Sequence, residues 1–357
     1  MIQSSADSGE WFQMSGIQEQ NGGVARYHFS DRKQNAPVSS EITGYFASML
    51  VALHKQHPGN GYFESALKAS KFLVHEAWDV QLSAMPFETE GDGSKFSYFF
   101  DNGIIVRGLL SVWRECRSPE LLSTAFQCAE SMSRDFFDGQ DFIPIIELPT
   151  KIPLAVDKAR WSRSPGCYQL KAALAWYELG QIAKQDCYFD LYKTLLRSSL
   201  DAHDSFLPGC DTEIPVMDRL HAYCYFLEGL LPVVDHPECA NALVVGIKRT
   251  KDFVNAISPQ FLRSDVVAQL LRVRLFADAF GVLPLDENAA LEEAATLETF
   301  QSKDPDQQLK GGFWFGKKQS EMLPFMNPVS TAFCCQALQM WTQYRQGDRR
   351  LEWQQLV

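Results

Sequence analysis

FDNGIIVRGLLSVWRECRSPELLSTAFQCAESMSRDFFDG, residues 100–139, contains one complete helical hairpin. Ile104, Ile105, Leu109 and Val112 recur at helical spacing from a start near Asn102, and Ser118-Pro119 interrupts the run. Leu121, Phe126 and Met132 then carry a second, more amphipathic helix to Asp138-Gly139.

The same pattern extends in both directions. First helices are expected to begin near Ser39, Asn102, Gly166, Arg219, Ser264 and Pro328, a period of roughly 45 to 65 residues, as stacked two-helix units require. In the first pair, Ser39 or Ser40 caps a run of Ile42, Tyr45, Phe46, Met49, Leu50 and Leu53. His57-Pro58-Gly59 stops it, and a return helix covers 61–78. Later copies pair 166–184 with 187–200, 219–234 with 237–256, and 264–280 with 286–300. A last first helix, 328–344, lacks a downstream partner, and a helix over 8–18 is expected to pair with it and close the ring. The expectation is an all-α chain forming a closed (α/α)6 toroid, a six-hairpin barrel of alternating inner and outer helices, as one domain over 1–357.

Connections from a second helix to the next first helix are long: 19–38, 79–101, 138–165, 201–218 and 301–327. Loops of this length in compact domains usually carry function, and alternation of long and short connections gathers them on one rim.

Composition narrows the partners. A net charge of -11 opposes a phosphate-tracking surface, so nucleic acid is not expected as a partner. With 46% hydrophobic residues, 25 Phe, 11 Tyr and 8 Trp, the chain can build a core without metals or disulfides. The first residues, Met1 to Asp7, contain no basic segment followed by an apolar run, so no secretory signal is expected. The longest apolar stretch, 222–234, is broken by Glu228 and Pro232 and is too short to span a bilayer, so no membrane span is expected. Nine scattered cysteines suit a reducing compartment, and the expected location is cytoplasmic. The pattern leaves the oligomeric state open.

Several segments resemble the six-hairpin glycosidase-like superfamily, the (α/α)6 toroids that include glycoside hydrolases, polysaccharide lyases and sugar epimerases. They are Asn21-Gly22-Gly23-Val24-Ala25-Arg26, Ser40-Glu41-Ile42-Thr43-Gly44-Tyr45, Phe100-Asp101-Asn102-Gly103 with Arg107-Gly108-Leu109-Leu110, Leu220-His221-Ala222-Tyr223 with Glu228-Gly229-Leu230-Leu231, and Gly311-Gly312-Phe313 with 327–333. The resemblance is closest to bacterial members associated with surface-polysaccharide metabolism. It implies the toroid and a carbohydrate ligand, and supplies no complete acid and base pattern.

Sugar cleavage or epimerisation needs a proton donor and an acceptor, most often paired carboxylates. Glu41, Asp101, Asp218 and Asp265 each fall at or within a turn of an expected first-helix start, which aims them at the loop rim. The structural alternative is capping of the helix amides, for which Asp101 is the best suited of the four. The preferred acid/base pair is Glu41 and Asp218, with Asp101 and His221 in support. His221 shares a helical face with Asp218 and is suited to orient a hydroxyl or shuttle a proton; otherwise it is a half-buried histidine satisfied by a carbonyl.

Arg26, Arg163 and Arg219 are candidates to pair with a ligand carboxylate or phosphate. Tyr27 and Trp314 are candidates to stack on a sugar ring. Tyr45, Tyr168 and Tyr223, near first-helix starts, are candidates to donate a proton in a lyase or epimerase, with Tyr45 also counted toward substrate binding; the alternative is a core tyrosine with its hydroxyl at the rim. The competing role for the loop aromatics is to plug the ends of the ring. His221, Cys224 and Cys210 share a spacing that could ligate zinc, but paired zinc motifs are absent, and no metal or other cofactor is expected. No phosphate-cradling glycine loop or Gly-x-Ser-x-Gly elbow occurs. The expected function is a carbohydrate-active enzyme, a hydrolase, lyase or epimerase, acting on an oligosaccharide or uronic-acid-containing glycan by acid/base chemistry. The alternative is a non-catalytic glycan-binding or polysaccharide-assembly protein on the same toroid.

Overall fold

Helix starts and stops follow the local chemistry of the chain in the computed structural model, which describes residues 2–89, 95–207, 213–258 and 260–357. Twelve α-helices occur among the described residues. They are α1 (Ile2–Met14), α2 (Ser40–Gln56), α3 (Tyr62–Phe72), α4 (Phe99–Cys116), α5 (Pro119–Asp135), α6 (Leu170–Ala183), α7 (Asp186–Phe206), α8 (Glu213–Gly229), α9 (Pro237–Ile257), α10 (Ser264–Ala279), α11 (Glu287–Phe300) and α12 (Pro328–Arg345).

Ser39 caps α2 by accepting the Ile42 amide, Asp286 caps α11 from Ala289, and Asn327 caps α12 from Val329. Proline opens α5, α9 and α12, where its missing N–H costs nothing. A π-helical turn, Leu73–Ala77, prolongs α3, and a 3-10 turn, Cys167–Gln169, leads into α6.

Among the described residues, nine short strands build three antiparallel sheets between the helices: β1 (His28–Phe29), β2 (Gln34–Asn35), β3 (Lys95–Tyr98), β4 (Ile145–Leu148), β5 (Ile152–Pro153), β6 (Phe261–Arg263), β7 (Gly316–Lys318), β8 (Glu321–Met322) and β9 (Phe325–Met326). Their orders are β2-β1-β9, β3-β4-β5 and β6-β7-β8. Two strands run straight into helices, β3 into α4 and β6 into α10, so Tyr98 and Arg263 are presented at helix starts.

The chain divides into two compact units. One comprises Gln18–Arg26 and Ala36–Ala202. In it α4 packs against α2, α5 and α6, and every residue from Phe99 to Leu110 is buried. Small residues permit this approach: a Cβ on Gly108 would lie 2.6 Å from the Gly44 carbonyl oxygen, and one on Gly103 would lie 2.4 Å from that of Ala172. Arg107 and Arg114 on α4 clamp the fully buried Glu178 of α6 at 2.7 and 2.5 Å.

The other unit comprises Met1–Ile17, Tyr27–Asn35 and His203–Val357. Here α10 packs against α8, α11 and α12, and α1 packs on α12. Residues 264–277 of α10 and 328–341 of α12 are all buried, whereas α5 and α9 bury one face only. Arg272 on α10 contacts Glu228 and donates to Gln336 at 3.0 Å.

The expected alternation of inner and outer helices is observed, as is the pairing of the terminal helices. Several boundaries differ, among them the end of α7 at Phe206 rather than 200. The N-terminal helix occupies Ile2–Met14 rather than 8–18, because Gly16 adopts a positive φ and turns the chain. The fourth first helix begins at Glu213, ahead of Pro215, which the first helical turn tolerates. Asp218 therefore lies more than a turn inside α8 and does not cap its start. Among the described residues, no helix is long and apolar enough to cross a membrane.

Candidate functional site

In the unit built on α2, α4 and α6, three helix starts supply ionisable groups. Glu41 is the second residue of α2, Asp101 the third of α4 and Lys171 the second of α6. Neither carboxylate is the N-cap; Ser39 and Tyr98 occupy those positions. Capping thus does not account for Glu41, while Asp101 takes its own backbone N–H and leaves Oδ2 buried with no hydrogen-bond partner among the described residues.

The two carboxyls feel each other. Glu41 keeps a partly exposed edge, but burial strips its carboxyl of water and holds it up at about 7, against the pull of Lys171 and then Arg26. Asp101 is raised well above the ordinary carboxylate range, first by burial and then by the negative charge of Glu41. Burial thus favours the protonated form of both carboxyls. Lys171 is fully buried, with its ammonium 5.3 Å from the centre of the Tyr45 ring, and Tyr45 lies one turn beyond Glu41 on α2.

Half-buried groups flank the pair. Arg26 bridges to Glu88 at 3.2 Å and stands over the Phe87 ring, which packs on Tyr98. The Tyr98 hydroxyl is held above its ordinary range by burial and by Asp101, opposed by Arg163. Tyr168 donates to the Ser164 carbonyl at 3.1 Å and meets Trp161 edge-on at 5.0 Å.

A second polar cluster lies in the other unit. Arg263, delivered by β6, donates through Nε and Nη2 to both oxygens of Asp265 at 3.0 and 2.7 Å, and through Nη1 to Asp218 at 2.9 Å. Burial works against these charges, but the Arg263 guanidinium holds Asp265 below the usual carboxylate range.

His221 Nδ1 lies 2.7 Å from Gln269 Oε1, and the Gln269 amide nitrogen faces the His221 carbonyl at 3.4 Å. That amide orientation assigns the proton to Nδ1 and leaves Nε2 as the acceptor. Burial, with Arg263 opposing Asp265, pushes His221 down to about 4, so the ring is neutral at pH 7.

The remaining sequence candidates have partners of their own. Arg219 donates to the Phe206 carbonyl at 3.1 Å and stacks over that ring. Tyr27 packs on Phe29 and Phe325, and Trp314 is half-buried beside α10, its carbonyl accepting from Ser264 at 2.7 Å. Cys224 is buried and its thiol raised by burial; Cys210 lies outside the described residues. No group of three or more His, Cys, Asp or Glu side chains suited to a metal ion occurs among the described residues.

Lys171, Tyr98, Glu88, Arg263 and Gln269 escaped the sequence reading. The available signal was a lone cation in an apolar phase: α6 is buried from Leu170 to Trp176, and Lys171 sits inside that run.

Comparison with known proteins rests on structure. No family model and no curated protein sequence matches the chain. Among solved structures, cellobiose 2-epimerase from Spirochaeta thermophila superposes with a TM-score of 0.72 at 12% identity, covering 93% of this chain and 94% of that one. A sugar epimerase from a ruminal bacterium gives 0.68 at 11%, covering 91% and 94%. Unsaturated glucuronyl hydrolase from Bacillus sp. GL1 gives 0.67 at 10%, covering 97% of both chains. The likeness establishes the fold, an (α/α)6 toroid, as the helical rhythm implies.

Proposed function

We propose that this protein is a carbohydrate-processing enzyme that moves protons with the carboxyl pair Glu41 and Asp101. The observation that carries the proposal is the pair itself: two carboxyls at neighbouring helix starts, both raised by burial, with the charge of Glu41 raising Asp101 further and one Asp101 oxygen unpartnered among the described residues. Structural groups are seldom left in this state, because two buried like charges are costly unless they serve chemistry. One protonated carboxyl can donate to a sugar oxygen while its ionised partner takes a proton from water or from a carbon-bound hydrogen. Structural neighbours with sugar-epimerase and glucuronyl-hydrolase activities by name support the substrate class.

The substrate we favour is an oligosaccharide or a glycan bearing uronic acid. Arg163, with no carboxylate partner among the described residues, and Arg26 supply guanidinium groups for an acidic sugar, and Trp161 supplies an apolar ring face. The free thiols among the described cysteines agree with the proposed cytoplasmic location.

A second reading places the proton acceptor on His221, whose Nε2 is unpartnered among the described residues while Gln269 fixes its tautomer. In that reading Asp218 serves to hold Arg263.

The test is turnover on a panel of neutral and uronate-containing oligosaccharides, with products resolved by chromatography. Glu41→Gln and Asp101→Asn are each expected to lower turnover by about 100-fold or more. Full activity of both variants on an identified substrate refutes the carboxyl pair, and loss in His221→Gln alone favours the second reading. Binding without conversion by the unaltered protein supports a glycan-binding role instead.

A further inference from the structure

Lys171 is an unusual residue to find wholly buried, and its surroundings are specific. It stands at the start of α6, which packs against α4, and its ammonium reaches the Tyr45 ring of α2. Its ammonium faces the Tyr45 ring, one turn from Glu41, and its neighbour Ala172 meets the α4 backbone at Gly103, two residues from Asp101. A buried ammonium is tolerated where opposite charge or an aromatic face replaces its water, and here both are at hand.

We propose that Lys171 is a positioning residue that decides which carboxyl of the pair carries the shared proton, keeping Glu41 as the ionised base and Asp101 as the protonated acid. This rests on the reading of Glu41 and Asp101 as the proton-transfer pair. The cations that act on Glu41 are Lys171 from α6 and Arg26 from the preceding loop, whereas the charge that acts on Asp101 is the negative one of Glu41. Tyr45 lies on α2 itself; from the other elements Tyr98 and Tyr168 feel the charge of Asp101, and Arg163 and Glu88 act in turn on Tyr98, with Glu88 engaged by Arg26. Because Arg26 is shared with Glu88 and half-exposed, the buried Lys171 exerts the larger pull on Glu41. Asymmetry of this kind separates the roles of two chemically similar groups.

The experiment is a titration of side-chain carboxyl carbons by 13C NMR on the full chain, with signals assigned through Glu41→Gln and Asp101→Asn. In the unaltered protein Glu41 is expected to ionise before Asp101. In Lys171→Met the Glu41 midpoint is expected to rise by about one to two pH units, and Lys171→Arg is expected to restore it to near the original value. An unchanged midpoint in a folded Lys171→Met variant overturns the proposal. So does ionisation of Asp101 before Glu41 in the unaltered protein, which requires no variant to fold. The titration reads the charge asymmetry without a substrate. An inactive pair with the expected titration therefore refutes only the catalytic reading, and an active pair with an unmoved midpoint refutes only the role of Lys171.

Discussion

Replacing Glu41 by Gln should stabilise the fold, and only at the pH where the carboxylate would otherwise be charged. The native Glu41 carboxyl is held at about 7 against an ordinary value of 4.5, chiefly by burial. Between these values the native state binds more protons than the unfolded state, so stability falls as pH rises through the window. At about 1.4 kcal/mol per pH unit, the displacement amounts to ~3 kcal/mol lost above pH 7 and nothing lost below 4.5.

Glutamine keeps the shape without the charge, and it also removes the repulsion that raises Asp101. The expected result is that urea unfolding gives similar stability for the two proteins at pH 4, and a Glu41→Gln variant more stable by about 2 to 3 kcal/mol at pH 8. Parallel stability curves from pH 4 to 8 would show that Glu41 is not strained in the native state, and the argument for a functional pair would fall with it.

Gly103→Ala should destabilise the protein by about 2 kcal/mol in denaturant unfolding, because the new methyl meets the Ala172 backbone, which cannot rotate away as a side chain would. Glu178→Ala leaves Arg107 buried without its carboxylate and should cost about 3 to 5 kcal/mol, measured in the same way. His221, depressed to about 4, contributes stability that is present above its unfolded value near 6.5 and lost as pH falls through 4. His221→Gln should flatten the stability curve over that range, and 15N NMR of the unaltered protein at pH 7 should show a neutral ring protonated on Nδ1.

The helical rhythm was legible from local order alone. Apolar spacing in 104–112, the stop at Ser118-Pro119 and the cap at Ser39 act within a few residues of themselves, so they can be read without knowing what packs against them. The pairing of α1 with α12 followed from an unpaired helix at each end of the pattern. The three small sheets were not legible, since strands of two to four residues, such as β1 and β3, carry no measurable alternation and form by pairing across the long loops.

Sequence placed Glu41 and Asp101 at helix starts and His221 beside Asp218, because those are positions along one strand of covalent order. Tertiary structure decided what they meet. The start of α8 ahead of Pro215 moved Asp218 into the helix, and β6 brought Arg263 to it from 45 residues away. Packing of α4 against α2 and α6 set Asp101 beside Glu41 and buried Lys171 near both, and proton affinity depends on exactly that: water excluded and charge close by, neither of which the order of residues records.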